Sequence, residues 1–189
     1  MSSAPPTDRA SGSQLIIGIC VLALALASFG WWWRYHEAAA PRELWGVSHM
    51  LRIRDAKKVE VLKLAPQADM LPKPGEAIPA ESFLLGSDWY VVAQSIDASQ
   101  VLGVNDFRRV LLADFGYDWK ADLTSCQPKW EQAIRWTGET GEQTTLLYAP
   151  NCQQMFLMES GAKASIAPSA SFAESFFKRA LDPPAKAAP

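Results

Sequence analysis

Two histidines, three cysteines and a scatter of carboxylates are the residues of this 189-residue chain that could carry chemistry. His36 lies just beyond a long apolar run, which leaves His49 as the one histidine of the part expected to fold. A Ser-His-Asp or Cys-His arrangement through His49 is therefore the sole conventional nucleophilic option, because a nucleophile needs a base within hydrogen-bond reach. Nothing in the neighbourhood of His49 supplies such a partner. Asp114, Asp118 and Asp122 recur at four-residue spacing, but carboxylates so spaced are common on solvated surfaces. The chain has no Gly-rich phosphate loop, no GxSxG elbow, no HExxH pair and no EF-hand loop. No catalytic, cofactor-binding or metal-ligating residue is assigned, and no cofactor is expected.

The cysteines pose a sharper question. Cys20 falls inside the apolar run, where it reads as a lipid-facing thiol, so Cys126 and Cys152 are the remaining pair. They are too far apart for a CxxC redox motif and lack partners at zinc-site spacing. In an oxidising compartment they can bond to each other, and in a reducing one they behave as small apolar residues. Cys126 precedes an expected hairpin and Cys152 comes after it, so a bond would close a loop of about 26 residues, worth roughly 3 kcal/mol on the loop-entropy relation. A reactive thiol would need a Lys, Arg or His beside it to lower its pKa, and the sequence singles out none. A structural disulfide and two buried thiols both stay open.

The element that positions everything else is Leu15 to Trp33 (LIIGICVLALALASFGWWW), which holds no charged residue. At roughly 19 residues it is long enough to cross the hydrocarbon core of a bilayer as a helix. A transmembrane helix is expected over 14–35, entered through Ser11-Gly12-Ser13. Trp31, Trp32, Trp33 and Tyr35 form an aromatic belt suited to the headgroup layer, and Arg34 can snorkel into the same layer. Ala23-Leu24-Ala25 and Ala25-Leu26-Ala27 have the form of signal-peptide cleavage sites, but the apolar run continues past both, so an uncleaved anchor is the preferred reading. The charges flanking the span, Arg9 on one side against Arg34, Arg42 and Arg52 on the other, would by the positive-inside rule hold the domain in the cytoplasm. A short polar N-terminus leading at once into an apolar run is instead the signal-anchor layout that exports the C-terminal part of a chain. The reading leans to an extracytoplasmic domain on the cytoplasmic (inner) membrane.

Residues 1–13 are expected to be disordered, 36–41 to be a linker, 42–181 to form one globular domain and 182–189 to be a disordered tail. About 150 residues after the anchor suffice for a single core. Pro41 suits the first position of a helix over 42–56, interrupted at Trp45-Gly46, with His49 and Arg52 on its solvated face. Lys58–Leu64 reads as a strand, Pro66–Pro79 as a surface loop, and Ser82–Leu85 and Trp89–Ile96 as strands joined at Gly86-Ser87-Asp88. The unbroken apolar run WYVVA marks the second of these as a central, buried strand. Asp97 is expected to cap a helix carrying Val101, Val104, Phe107, Val110 and Leu111, with Arg108 and Arg109 outward and a stop near Gly116. Trp130–Trp136 and Gln143–Tyr148 form a hairpin about Gly138–Gly141, and Cys152–Met158 is a further strand. Ser171 and Glu174 form a capping box opening a last helix with Phe172, Phe176, Phe177 and Leu181 on one face. The fold class is α+β, with about three helices over a largely antiparallel sheet of about six strands.

Lys and Arg number 18 against 20 Asp and Glu, a formal charge of -2 with both signs interspersed, so no nucleic-acid partner is expected. Glu43-Leu-Trp-Gly46, Ile53-Arg-Asp-Ala56, Val59-Glu-Val-Leu62, Phe107-Arg-Arg-Val-Leu-Leu112, Phe115-Gly-Tyr-Asp-Trp119 and the segment around Cys152 resemble a group of short, membrane-anchored bacterial proteins abundant in planctomycetes. The resemblance spans most of 43–181 and implies an exported module on a membrane anchor, with no activity and no functional residue carried over. The expected function is a non-catalytic accessory or binding module whose partners are the lipid bilayer and another membrane protein. Gly18, Ala23, Ala25, Ala27 and Gly30 would permit close helix packing. An enzyme with an unfamiliar thiol-dependent or hydrolytic site is the alternative, and it requires His49, Cys126 or Cys152 to converge with a carboxylate in a cleft.

Overall fold

The computed structural model describes residues 10–37, 39–66, 81–85 and 88–182. The chain divides into two units, one through Ala38 and one from Ala39 onward. The first is a single helix, α1 (Ala10–Glu37). Within it Gln14–Trp33 is long and apolar enough to cross a membrane, and its apolar side chains are exposed on all sides. A helix apolar all round has no amphipathic reason to seek a protein core, and lipid is its natural solvent. Ser11-Gly12-Ser13 lies within the helix rather than ahead of it. Residues 1–9, expected to be disordered, lie outside the described residues.

The second unit is a curled seven-stranded antiparallel sheet backed by helices. Its elements are α2 (Ala39–Trp45), α3 (Val47–Asp55), β1 (Lys58–Pro66), β2 (Ser82–Leu85), β3 (Asp88–Asp97), α4 (Val104–Leu112), β4 (Gln132–Thr137), β5 (Gln143–Ala149), β6 (Gln154–Leu157), β7 (Lys163–Ser165) and α5 (Ala170–Leu181). The strand order is β2-β3-β1-β4-β5-β6-β7. The register of β1 against β3 slips between Lys63 and Leu64. Such a bulge adds local twist, on the side of the sheet that curls over.

Strand pleating sorts the side chains onto two faces. Val59, Val61, Ile134, Trp136, Leu146, Tyr148, Met155 and Leu157 meet Trp45, Ile53, Phe107, Leu111, Phe176 and Phe177 from the four helices in the larger core. Leu62, Leu64, Tyr90, Trp130, Ala133, Leu147 and Ala149 form a second cluster on the other face. β4 and β5 are buried on both faces, and Arg135, Thr144 and Thr145 are buried in them beside their apolar residues.

Several expectations need correction. The interruption expected at Trp45-Gly46 is present and divides the 42–56 stretch into two separate helices, with Gly46 at φ +83° between them, a left-handed conformation that glycine adopts without steric cost. Four helices therefore cover the sheet, where about three were expected. Pro41 sits in the first turn of α2 but not at its first position, and the 36–41 stretch, expected as a linker, carries the end of α1 and the start of α2. The WYVVA strand is not central. It forms β3, next to the edge, with Trp89 exposed and only Tyr90 and Val91 buried. Asp97 caps no helix: its carboxylate accepts the Ser99 amide at 2.9 Å in a turn, and α4 starts at Val104 after Gly103. Arg108 turns inward, its guanidinium 5.1 Å from the Trp136 ring and donating to the Ala56 carbonyl at 2.9 Å. Cys152 lies in a turn, and the strand after it begins at Gln154. The short β7 at 163–165 was not foreseen. Ser171 is inside α5, whose N-cap is Ser169 with no side-chain capping bond, so the expected capping box is absent. The expected loop at Pro66–Pro79, the turn at 86–87 and the tail from 183 lie largely or wholly outside the described residues.

Candidate functional site: a cleft on the face of the sheet away from the helices

The four helices occupy one face of the sheet, and the opposite face is shaped by its own edges. Arg135 on β4 points onto this face with its side chain only 9% exposed. Its guanidinium pairs with Glu81, the residue before β2, and lies 4.0 Å from Glu60 of β1. It also stands 5.9 Å from the centroid of the Phe83 ring. An arginine so enclosed is held by its charge-assisted hydrogen bond to Glu81 and by the nearby charge of Glu60. In consequence the edge strand β2 is clipped back across the sheet toward β4.

Beside this clip a cleft of about 240 Å³ opens, lined by Leu85, Asp88, Tyr90, Gln127, Pro128, Trp130, Phe156 and Lys163. The β2–β3 hairpin supplies one wall, β6 and β7 the other, and the segment leading into β4 the third. The Trp130 and Phe156 rings touch, with centroids 5.7 Å apart, and form an aromatic floor. The exposed Lys163 ammonium stands 5.6 Å above the Phe156 ring. Burial pushes the Tyr90 hydroxyl above the ordinary phenol range, opposed by a hydrogen bond with the Trp130 main chain and reinforced by the Asp88 carboxylate. Tyr90 accordingly stays a neutral hydroxyl at physiological pH. Aromatic surface with a few polar groups at its mouth is the usual make-up of a small-ligand or side-chain pocket.

The cysteines left open by the sequence build the third wall. Cys126 and Cys152 are joined as a disulfide with Cα atoms 5.8 Å apart. Asn151 reinforces it, its amide donating to the Gln127 carbonyl at 2.9 Å and its carbonyl oxygen accepting the Lys129 amide at 2.9 Å. The segment bearing Gln127, Pro128 and Trp130 is thereby fixed to the turn between β5 and β6, although it belongs to no strand or helix.

The other candidate residues do not join the cleft. His49 lies on the helix-covered side, its Nδ1 3.0 Å from the buried Thr144 hydroxyl. The convergence of His49 with Cys126 or Cys152 that a thiol enzyme would require is not present, and both sulfurs are committed to one another. Asp118 and Asp122 organise turns, accepting the amides of Lys120 and Thr124 at 3.0 and 2.9 Å. Among the described residues no group of three or more His, Cys, Asp or Glu could hold a metal ion. The proposed interface anchors follow one another at the end of α1, with Trp31, Trp32, Trp33 and Tyr35 exposed, Trp31 stacking on Tyr35 at 5.9 Å; Arg34 shares that turn. Sequence reasoning missed the cleft itself. In the sequence Trp130 and Phe156 look like ordinary strand residues, and the signal for a site is only their aromatic character beside a cysteine framework. Comparison with protein-family models, with curated proteins and with solved structures finds no match to this chain.

Proposed function

We propose that the chain is a single-pass accessory protein of the cytoplasmic membrane, whose domain stands outside the cytoplasm and holds a partner in the cleft without acting on it chemically. The observation that carries this reading is the cleft: an aromatic floor, a lysine at its mouth, and walls clipped by the Arg135–Glu81 pair and the Cys126–Cys152 bond. Its walls offer apolar surface and hydrogen-bonding groups, but none of the candidate nucleophile–base pairs. The disulfide supports the compartment, since such bonds persist outside reducing cytoplasm. The apolar α1 supports the tether.

The binding role is tested with a photoreactive residue at Leu85, in the cleft, or at Thr140, at the tip of the β4–β5 hairpin, in the full chain in its own membrane. A defined adduct from position 85, absent from position 140 and lost with Lys163→Glu, is the expected result. Equal adducts from both positions, or none from 85, would refute a cleft-borne partner. The compartment is tested separately by a membrane-impermeant maleimide in intact cells. Labelling of Cys126 and Cys152 only after reduction is expected, and labelling only after lysis without reductant would place the domain inside.

A further inference from the structure

Two exposed aromatic side chains of the folded unit stand together at a single turn that the cleft does not use. Between α4 and the first residues of the long connection to β4, Phe115 is 57% and Trp119 is 43% exposed. Tyr117 between them is buried, its ring 4.9 Å from that of Trp119. The Tyr117 hydroxyl accepts from the Trp45 indole at 2.8 Å and donates to the Leu111 carbonyl at 2.6 Å. Trp45 is the last residue of α2, so this turn is bolted to α2 by a buried hydrogen bond.

The covalent reach of the chain bounds how far the start of α2 can stand from the membrane. Ala39 opens α2 two residues after Glu37 closes α1, a distance of at most about 7 Å whatever angle the helices make. The apolar window ends at Trp33, and four further helical residues rise about 6 Å. The headgroup layer on each side of the hydrocarbon is about 5–7 Å deep. The start of α2 therefore lies within roughly 13 Å of the hydrocarbon edge, close above or within that layer. Residues of the 114–116 turn come within 8 Å of α2, Cα to Cα. We propose that Phe115 and Trp119 insert into the headgroup layer of the membrane that holds α1, forming a second, peripheral contact between the folded unit and lipid. Indole and phenyl rings favour this layer. The exposed Lys120 is matched on the same turn by Asp118 and Asp122, so the contact is made by the rings and not by charge. It rests on the reading of α1 as a membrane anchor.

The test uses the full chain in phosphatidylcholine/phosphatidylglycerol vesicles with nitroxide labels, the Cys126–Cys152 bond left intact. One preparation carries the label on the native Cys20. The others carry Cys20→Ser together with Phe115→Cys, Trp119→Cys or Thr140→Cys. Collision with oxygen, which partitions into lipid, is compared with collision with a water-soluble nickel chelate. Labels at 115 and 119 are expected to show a several-fold lower nickel-to-oxygen ratio than the label at 140, unchanged by high salt. A ratio equal to that at 140 overturns the proposal. Exclusion of both relaxers also overturns it, by showing that protein covers the rings. The label on Cys20 separates the two claims: a water-exposed Cys20 removes the anchor itself, whereas a lipid-buried Cys20 with wet labels at 115 and 119 removes only the second contact.

Discussion

Replacing Cys126 and Cys152 together by serine isolates what the covalent bond contributes to the cleft-bearing unit. The bond closes a loop of 26 residues, and the loop-entropy relation assigns such a closure about 3.5 kcal/mol at 25 °C. For a unit of this size each kcal/mol moves the melting temperature by about 2–4 °C, so the shift should be about 7–14 °C downward. Most of it should arise in the unfolded chain. In the folded state Asn151 still holds Gln127 and Lys129 through its two hydrogen bonds, so the cleft wall keeps its place. Melting is followed by near-ultraviolet circular dichroism of the full chain in detergent, where the buried tryptophans report tertiary packing. The wild-type chain in excess reductant should fall to the same temperature as the double variant, and Cys20→Ser should not move it. A shift below about 2 °C would refute the reasoning, because the bond would then constrain nothing that the unfolded chain explores.

Gly116→Ala should destabilise the unit by about 1–3 kcal/mol through overpacking. A Cβ at this position would lie 2.6 Å from the Val110 carbonyl oxygen and 3.1 Å from its Cγ1, and main chain cannot swing aside. The urea midpoint measures the loss, and an unchanged midpoint would show that the turn after α4 is free to open. Tyr117→Phe removes the hydroxyl that joins the Trp45 indole to the Leu111 carbonyl. Two buried polar groups lose a partner, each at about 1–3 kcal/mol, so a fall of about 2–6 kcal/mol at constant m-value is expected. A loss under about 1 kcal/mol would mean that water replaces the hydroxyl.

Local patterns in the sequence were sufficient for the elements that local chemistry determines. The apolar run of α1, the strand at 58–64, the hairpin about Gly138–Gly141 and the apolar face of α5 are each visible in composition or period, and the structure has them. Errors arose where tertiary partners decide. WYVVA looks like a central strand because Trp89 is apolar, yet the sheet order places it beside the edge, where Trp89 is exposed. Arg108 looks like a solvated charge, but the Trp136 ring offers its guanidinium a flat partner across the sheet, and no pattern near residue 108 announces it. The strand β7 has only three residues, too few to carry a period. The cleft was illegible for a related reason: Leu85, Tyr90, Trp130, Phe156 and Lys163 come from distant parts of the sequence, and only the fold of the sheet makes them neighbours. The disulfide stood between these cases, since spacing allowed it but could not choose it over two thiols.

The two faces of the sheet have different causes, and this separation bears on how the cleft could work. On one face four helices bury Trp45, Phe107, Phe176 and Phe177 against the strands, and apolar burial is the main force in that packing. No helix covers the other face. Its smaller apolar cluster, built on Leu62, Tyr90, Trp130 and Leu147, is joined by a few specific links: Arg135 to Glu81, Cys126 to Cys152, and Asn151 to Gln127 and Lys129. Apolar burial is diffuse and tolerant, whereas each of these links acts at one point and is lost by one substitution. Stability therefore resides mainly in the helix-covered core, and cleft geometry resides mainly in the links. A binding surface arranged this way can change its walls while the core that supports it stays as it is, which is how loops on a rigid scaffold acquire specificity. The segment 126–130 belongs to no strand, and it is held from both ends. At one end Glu131 bonds into the sheet, its amide donating to the Tyr148 carbonyl at 3.3 Å and its carbonyl accepting the Leu64 amide at 2.8 Å. At the other, Cys152 and Asn151 tie it to the turn between β5 and β6, and the two hydrogen bonds of Asn151 keep the wall in place where the covalent bond is removed.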